Sequence, residues 1–148
     1  MTNPGNVLFI MADQLRWDYQ SWYGHPTLKT PHLDRLAERG VRVDRAYCQS
    51  PICGPSRMSF YTGRYMRSHG ATWNGFPMRV GEKTLGDHLR PLGVRTVLVG
   101  KTHMIADREG MQWLGIDQYS DNGISVADCG FEPFEDAFIV RLRIDGVM

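Results

Sequence analysis

The stretch "TLGDHLRPLGVRTVLVG", from Thr84 to Gly100, joins a helix pattern directly to a strand pattern. Thr84 and Asp87 have the spacing of a helix-capping pair. The predicted helix ends at Gly93, after the apolar face formed by Leu85, Leu89 and Leu92, although Pro91 is unfavourable inside a helix. The run "RTVLVG" then has the apolar, β-branched character of a buried strand. A helix followed so closely by a strand is typical of α/β folds.

Earlier segments repeat this alternation of strand and helix. "NVLFIMAD", from Asn6 to Asp13, is a continuous apolar run that suits a central strand of a parallel sheet. "TPHLDRLAERG" predicts a helix with Thr30 as N-cap and Gly40 as stop, and 41–43 alternates like a short strand. Later in the chain, a weak helix pattern lies around 108–114. We therefore predict an α/β fold with a mostly parallel sheet flanked by helices.

Composition excludes several function classes. Lys plus Arg number 17 and Asp plus Glu number 16, so a net charge of +1 offers no field for nucleic acid or an anionic membrane. No apolar run near the start is long enough to span a membrane, and no basic segment precedes one, which predicts a cytoplasmic protein. Three cysteines without a C-x-x-C pair suggest neither a disulfide framework nor a zinc site.

A cysteine marks the start of another predicted helix. Cys53 stands just before a proline-initiated helix over 55–61 that closes near Gly63, and Arg57 follows one turn later. A lone cysteine is usually a small buried thiol, and an arginine on a helix is usually solvated. Their joint placement favours an oxyanion site, because helix N–H groups, the helix dipole and a guanidinium would converge there.

Two further groups of residues follow predicted strands, where α/β sheets bind ligands. Asp13 and Gln14 are adjacent hard oxygen donors suited to Ca²⁺, Mg²⁺ or Mn²⁺, although such pairs are also common as plain strand exits. Lys101 and His103, two residues apart, are expected on the same side of the strand end. With Cys53, these residues describe an electrophilic clamp for hydrolysis of a sulfate or phosphate-type ester.

The residues from Cys53 to Gly63 resemble C-x-P-S-R-x-x-x-x-T-G, which is typical of the type I sulfatases of the alkaline phosphatase superfamily. A second motif of that family resembles "GVRTVLVGKTH", which ends at His103. The resemblance runs from Asn6 to about Glu135. It implies a sulfuric ester hydrolase in which Cys53 is oxidised to formylglycine by a formylglycine-generating enzyme.

The resemblance also implies roles for individual residues. Hydrated formylglycine at position 53 attacks sulfur or phosphorus with one hydroxyl, and the second hydroxyl later loses its proton to expel the group and restore the aldehyde. Arg57 is expected to support the diol, while Lys101 and His103 contact the substrate and its leaving group. The implied metal, Ca²⁺ or Mn²⁺, is held by three positions: Asp13, Gln14 and the modified Cys53.

Several features are closer to phosphonate monoester hydrolases and arylsulfatases than to lysosomal-type sulfatases. They are the Asp13–Gln14 pair, the 115–135 stretch, and Asn74, which matches a substrate-contacting asparagine of the phosphonate branch. The expected substrate is therefore a small-molecule sulfate or phosphonate ester.

Family members run several times longer and bring a second metal-ligand pair and a further lysine, which have no counterpart in these 148 residues. We therefore expect a truncated, N-terminal part of a sulfatase-like catalytic domain over 1–135, followed by an atypical tail over 136–148. A homo-oligomeric full-length form stays open.

Two alternatives remain beside this interpretation. One is a phosphatase of the wider superfamily that uses an unmodified residue such as Ser56, against which the cysteine of the motif argues. The other is an inactive remnant that binds anions but lacks half of the metal site.

Overall fold

A computed structural model describes residues 5–120 and 130–133 of the chain. The chain divides into two units, Met1–Tyr47 and Cys48–Met148. The predicted tail over 136–148 lies outside the described residues. No helix among the described residues is both long enough and apolar enough to cross a membrane.

The first unit is organised around helix α1, Pro31–Arg39. The helix begins after Thr30 with proline in its first turn and ends at Gly40, as predicted. Ser21 Oγ hydrogen-bonds both Thr30 Oγ1, at 2.8 Å, and Asp34 Oδ2, at 2.6 Å. The start of α1 is therefore tied to the turn that precedes it. Two 3₁₀ turns come before α1: Trp17–Tyr19 and Ser21–Tyr23.

The predicted strand at the start of the chain is not present. Residues 7–11 form no strand, and Val7 and Leu8 are 92% and 84% exposed. Residues 41–43 likewise form no strand. A strand exists only where a neighbour completes its backbone hydrogen bonds, so an apolar run cannot form one by itself.

The second unit carries the other helices and a small sheet. The helices are α2 Cys53–Thr62, α3 Met66–His69, α4 Leu85–Leu89 and α5 Arg108–Trp113. Strands β1, Val97–Leu98, and β2, Glu132–Pro133, pair in parallel. The described residues form no sheet other than this two-stranded one. The broad parallel sheet that we predicted is therefore not confirmed.

Local signals in the sequence predicted α2 and α4 of this unit. α2 ends at Gly63, whose φ of 66° is the left-handed conformation that glycine adopts easily. Thr84 and Asp87 form the predicted capping box of α4. The α-helix stops at Leu89 and continues as a 3₁₀ turn, because Pro91 has no N–H and its ring clashes with the preceding turn.

A compact core supports α2. Met58 on α2 packs with Ala71 and Met78, and Met104 lies against the same cluster. Met104 immediately follows His103, so the core joins the cysteine helix to the second predicted motif. α3, which connects α2 to Ala71, was not predicted from the sequence.

Candidate active site

The start of α2 is capped from outside the helix. Its N-cap residue, Ile52, has no polar side chain, and its own N–H donates to Ser50 Oγ at 3.1 Å. The N–H of Gly54 donates to Asn74 Oδ1 at 2.8 Å. Pro55 has no N–H. Three of the four positions that usually have unsatisfied N–H groups at a helix start are therefore accounted for.

The remaining N–H at the helix start belongs to Cys53 itself. It makes no hydrogen bond to any residue within 5–120 or 130–133, and the side chain is half-buried. The sequence led us to expect several free N–H groups around a bound anion. In the described part of the chain, the N–H of Cys53 is the one of these four helix-start groups that remains able to donate to an anion, and it lies at the positive end of the helix dipole.

Arg57 connects the two predicted motifs. It lies one turn after Cys53, is only 6% exposed, and donates from Nη1 to the carbonyl oxygen of Lys101 at 2.7 Å. A buried hydrogen bond from a charged donor is among the stronger kinds in proteins. The structure therefore brings Arg57 and Lys101 together, through the backbone of Lys101.

The segment after β1 is not an extended strand. β1 ends at Leu98, and both Gly100 and His103 have positive φ values, of 97° and 57°. Our argument that Lys101 and His103 share a side assumed strand geometry, which does not apply here. A left-handed conformation is uncommon for residues other than glycine, and such strain clusters at functional sites.

A buried histidine that the sequence analysis did not select holds α2 from the opposite end. His69, at the end of α3, is 4% exposed, and its Nε2 lies 2.8 Å from Ser59 Oγ. Its Nδ1 accepts from the N–H of Ala71 at 3.2 Å. Because Nδ1 is an acceptor, the ring is neutral and Nε2–H donates to Ser59. Nothing in the sequence pattern distinguished this histidine from the exposed ones.

Electrostatics support the neutral form of His69. Burial lowers the pKa of its imidazole below the ordinary value, the Glu82 carboxylate raises it, and the Arg64 guanidinium lowers it. Arg64 also donates to both carboxylate oxygens of Glu82, at 2.6 and 2.7 Å. The negative charge of Glu82, which raises the histidine pKa, is therefore partly neutralised.

Asp13 and Gln14 belong to the first unit, whereas Cys53 belongs to the second. Gln14 has a φ of 53°, so it shares with His103 an uncommon backbone conformation. Among the described residues, no group of three or more His, Cys, Asp or Glu side chains is arranged to hold a metal ion. The predicted set of metal ligands, Asp13, Gln14 and the modified Cys53, stays a prediction.

Comparisons with known proteins give this geometry a family context. A sequence model of the family described as Sulfatase matches residues 5–135. The steryl-sulfatase of Mus musculus is 41% identical over 114 residues, which cover 68% of this chain and 18% of that protein. The chain spans about a fifth of the length of the curated relatives that it matches.

Solved structures agree with the sequence comparisons. The phosphonate monoester hydrolase of Silicibacter pomeroyi matches with a TM-score of 0.72 at 29% identity, covering 97% of this chain and 29% of that one. A protein solved with its substrate, D-glucosamine-2-N,6-O-disulfate, matches with a TM-score of 0.58 at 32% identity, covering 61% and 18%.

Proposed function

The chain belongs to the sulfatase family, and from this premise we propose that it is the nucleophile-bearing part of a formylglycine-dependent hydrolase of sulfate or phosphonate monoesters. One observation carries the proposal beyond family membership. The buried 2.7 Å hydrogen bond from Arg57 to the carbonyl oxygen of Lys101 joins the cysteine motif to the second motif. Arg57 and Lys101 lie 44 residues apart in the chain, and the fold brings them into direct contact.

The chemistry of the relatives supports the substrate class. A steryl-sulfatase and a structure with a bound disulfated glucosamine are among the proteins that this chain resembles, as is a phosphonate monoester hydrolase. A tetrahedral sulfate or phosphonate group presents anionic oxygens in each case. We therefore propose a small-molecule sulfate or phosphonate monoester as the substrate.

Cys53 is the residue that we propose to be modified. Converted to formylglycine and hydrated, it would supply one hydroxyl as nucleophile and a second whose deprotonation releases the group, which a thiol cannot do. The N–H of Cys53 lies at the N-terminal end of α2, where the dipole of this ten-residue helix favours an anion.

The other residues hold the site and contact the substrate in this proposal. Arg57 fixes the backbone of Lys101, so that the Lys101 ammonium and the His103 imidazole extend from a defined loop. Lys101 would neutralise an anionic oxygen, and His103 would donate a proton to the leaving alcohol. Asn74 would donate a hydrogen bond from its amide nitrogen to the substrate.

A divalent metal is part of the chemistry that the family generally uses. We propose that Asp13 and Gln14 supply oxygen ligands to Ca²⁺ or Mn²⁺, since carboxylate and amide oxygens suit these hard cations. Both cations prefer about six or more oxygens, so Asp13, Gln14 and the modified Cys53 would need further oxygen ligands to complete the coordination.

The decisive experiment is to produce the chain together with a formylglycine-generating enzyme and to analyse its peptides by mass spectrometry. We expect the aldehyde at Cys53 and an unmodified thiol at Cys48, which serves as an internal control because no motif follows it. Pro55→Ala should prevent the conversion, because it breaks the motif while leaving Cys53 in place. An unmodified Cys53 in the unaltered chain would contradict the catalytic interpretation.

A further inference from the structure

Gly54 and Asn74 approach each other more closely than any other residue type at position 54 would allow. A Cβ atom added to Gly54 would lie 2.9 Å from Asn74 Oδ1, 3.3 Å from Asn74 Cα and 3.6 Å from the carbonyl oxygen of Trp73. Real Cβ contacts are almost never shorter than 3.0 Å. A methyl group at position 54 would therefore push the Asn74 side chain away and press on the loop that carries it.

The hydrogen bond between the two residues determines which way the Asn74 amide faces. A backbone N–H can only donate, so the Asn74 atom that lies 2.8 Å from Gly54 N must be the oxygen. The amide nitrogen is then directed away from Gly54. It makes no hydrogen bond to any residue in the part of the chain that the structure describes.

We propose that Gly54 and Asn74 form a coupled positioning pair for Cys53. Gly54 has no side chain, which allows the Asn74 oxygen to cap the second position of α2, and the same bond holds the loop that carries Asn74 against the residue that follows Cys53. The cap comes from a loop 20 residues away, because Ile52, at the N-cap position, cannot provide one. The pair goes beyond the proposed function, since its geometry is independent of what Cys53 becomes.

A double-mutant cycle tests the coupling in the full 148-residue chain. Gly54→Ala should lower the melting temperature by about 3 °C or more, because the added methyl group displaces the cap. In an Asn74→Ala background the same change should lower it much less, or raise it, because alanine favours a helix over glycine. An equal shift in both backgrounds would show that residues 54 and 74 are independent and would overturn the proposal.

Amide hydrogen exchange gives a local readout that a general loss of stability would not imitate. Asn74→Ala should speed the exchange of the Gly54 N–H by about tenfold relative to that of Ser56, whose N–H donates to the carbonyl oxygen of the N-cap residue Ile52 at 3.1 Å. Asn74→Asp should restore protection, because a carboxylate also caps a helix N-terminus well. Parallel changes at Gly54 and Ser56, or no rescue by aspartate, would overturn the proposal.

Discussion

Arg57 Nη1 donates a 2.7 Å hydrogen bond to the carbonyl oxygen of Lys101, and the Arg57 side chain is buried. The two residues come from separate sequence motifs, so this bond is where the proposed nucleophile helix meets the loop with the proposed substrate contacts. Met58 and Met104 reinforce the junction, because both belong to the same apolar cluster.

We expect Arg57→Lys to lower the free energy of unfolding by about 1.5–3 kcal/mol, which is the usual contribution of a hydrogen bond with a charged donor. The lysine side chain is shorter, and its compact ammonium group cannot reproduce the hydrogen bond that the planar guanidinium donates to the Lys101 carbonyl. Urea denaturation measures the loss. Arg67→Lys is the matched control, since Arg67 is exposed in the same unit and should change stability by no more than about 0.5 kcal/mol. Equal effects at both positions would contradict the role of the Arg57 bond.

The left-handed backbone of His103 gives a second prediction. Alanine and glycine at this position both remove the imidazole, but only glycine adopts a φ of 57° without steric cost. We expect His103→Gly to be about 1 kcal/mol more stable to urea than His103→Ala. His88→Gly should instead be less stable than His88→Ala, because His88 lies in helix α4, where alanine is favoured. The same order of stability at both positions would show that His103 is not strained.

Stability should fall as the solution becomes acidic, because of His69. Its folded-state pKa is lowered, mainly by burial, so the unfolded chain binds a proton more readily. The stabilisation is complete above the unfolded pKa of about 6.5 and is lost as the pH falls through the lower folded value. Protonation of Nδ1 would also remove the bond from the Ala71 N–H.

The measurement for His69 is the melting temperature between about pH 7.5 and pH 5. We expect His69→Gln to be less stable at neutral pH but to lose less on acidification, whereas His88→Gln should keep the pH dependence of the unaltered chain. An unchanged slope in His69→Gln would assign the acid sensitivity to other groups.

Metal binding by this chain alone should be weak. Asp13, Gln14 and the modified Cys53 would supply only part of the about six or more oxygen ligands that Mn²⁺ and Ca²⁺ prefer. Calorimetry with Mn²⁺ or Ca²⁺ should give a dissociation constant no tighter than about 10⁻⁴ M, and Asp13→Ala should weaken it further. Tight one-to-one binding would contradict our view that further ligands are needed, and binding insensitive to Asp13→Ala would contradict the proposed ligand.

The amino-acid sequence alone located four of the five α-helices of the described residues, and it determined the family. Thr30 with Pro31, Gly63 after α2, and the Thr84–Asp87 capping box act within a few residues of the chain, so their effects can be read locally. The resemblance to sulfatases also rests on short motifs, and the family match over residues 5–135 confirms it.

Only the tertiary structure decided which polar groups meet. The bonds from Arg57 to Lys101 and from Gly54 to Asn74, and the burial of His69, join residues that lie 10 to 44 positions apart. Strand formation also depends on tertiary partners, because the apolar run over 7–11 forms no strand in spite of its composition. A helix completes most of its hydrogen bonds within its own segment, whereas a strand, an external cap or a buried charge needs partners that only the folded chain supplies.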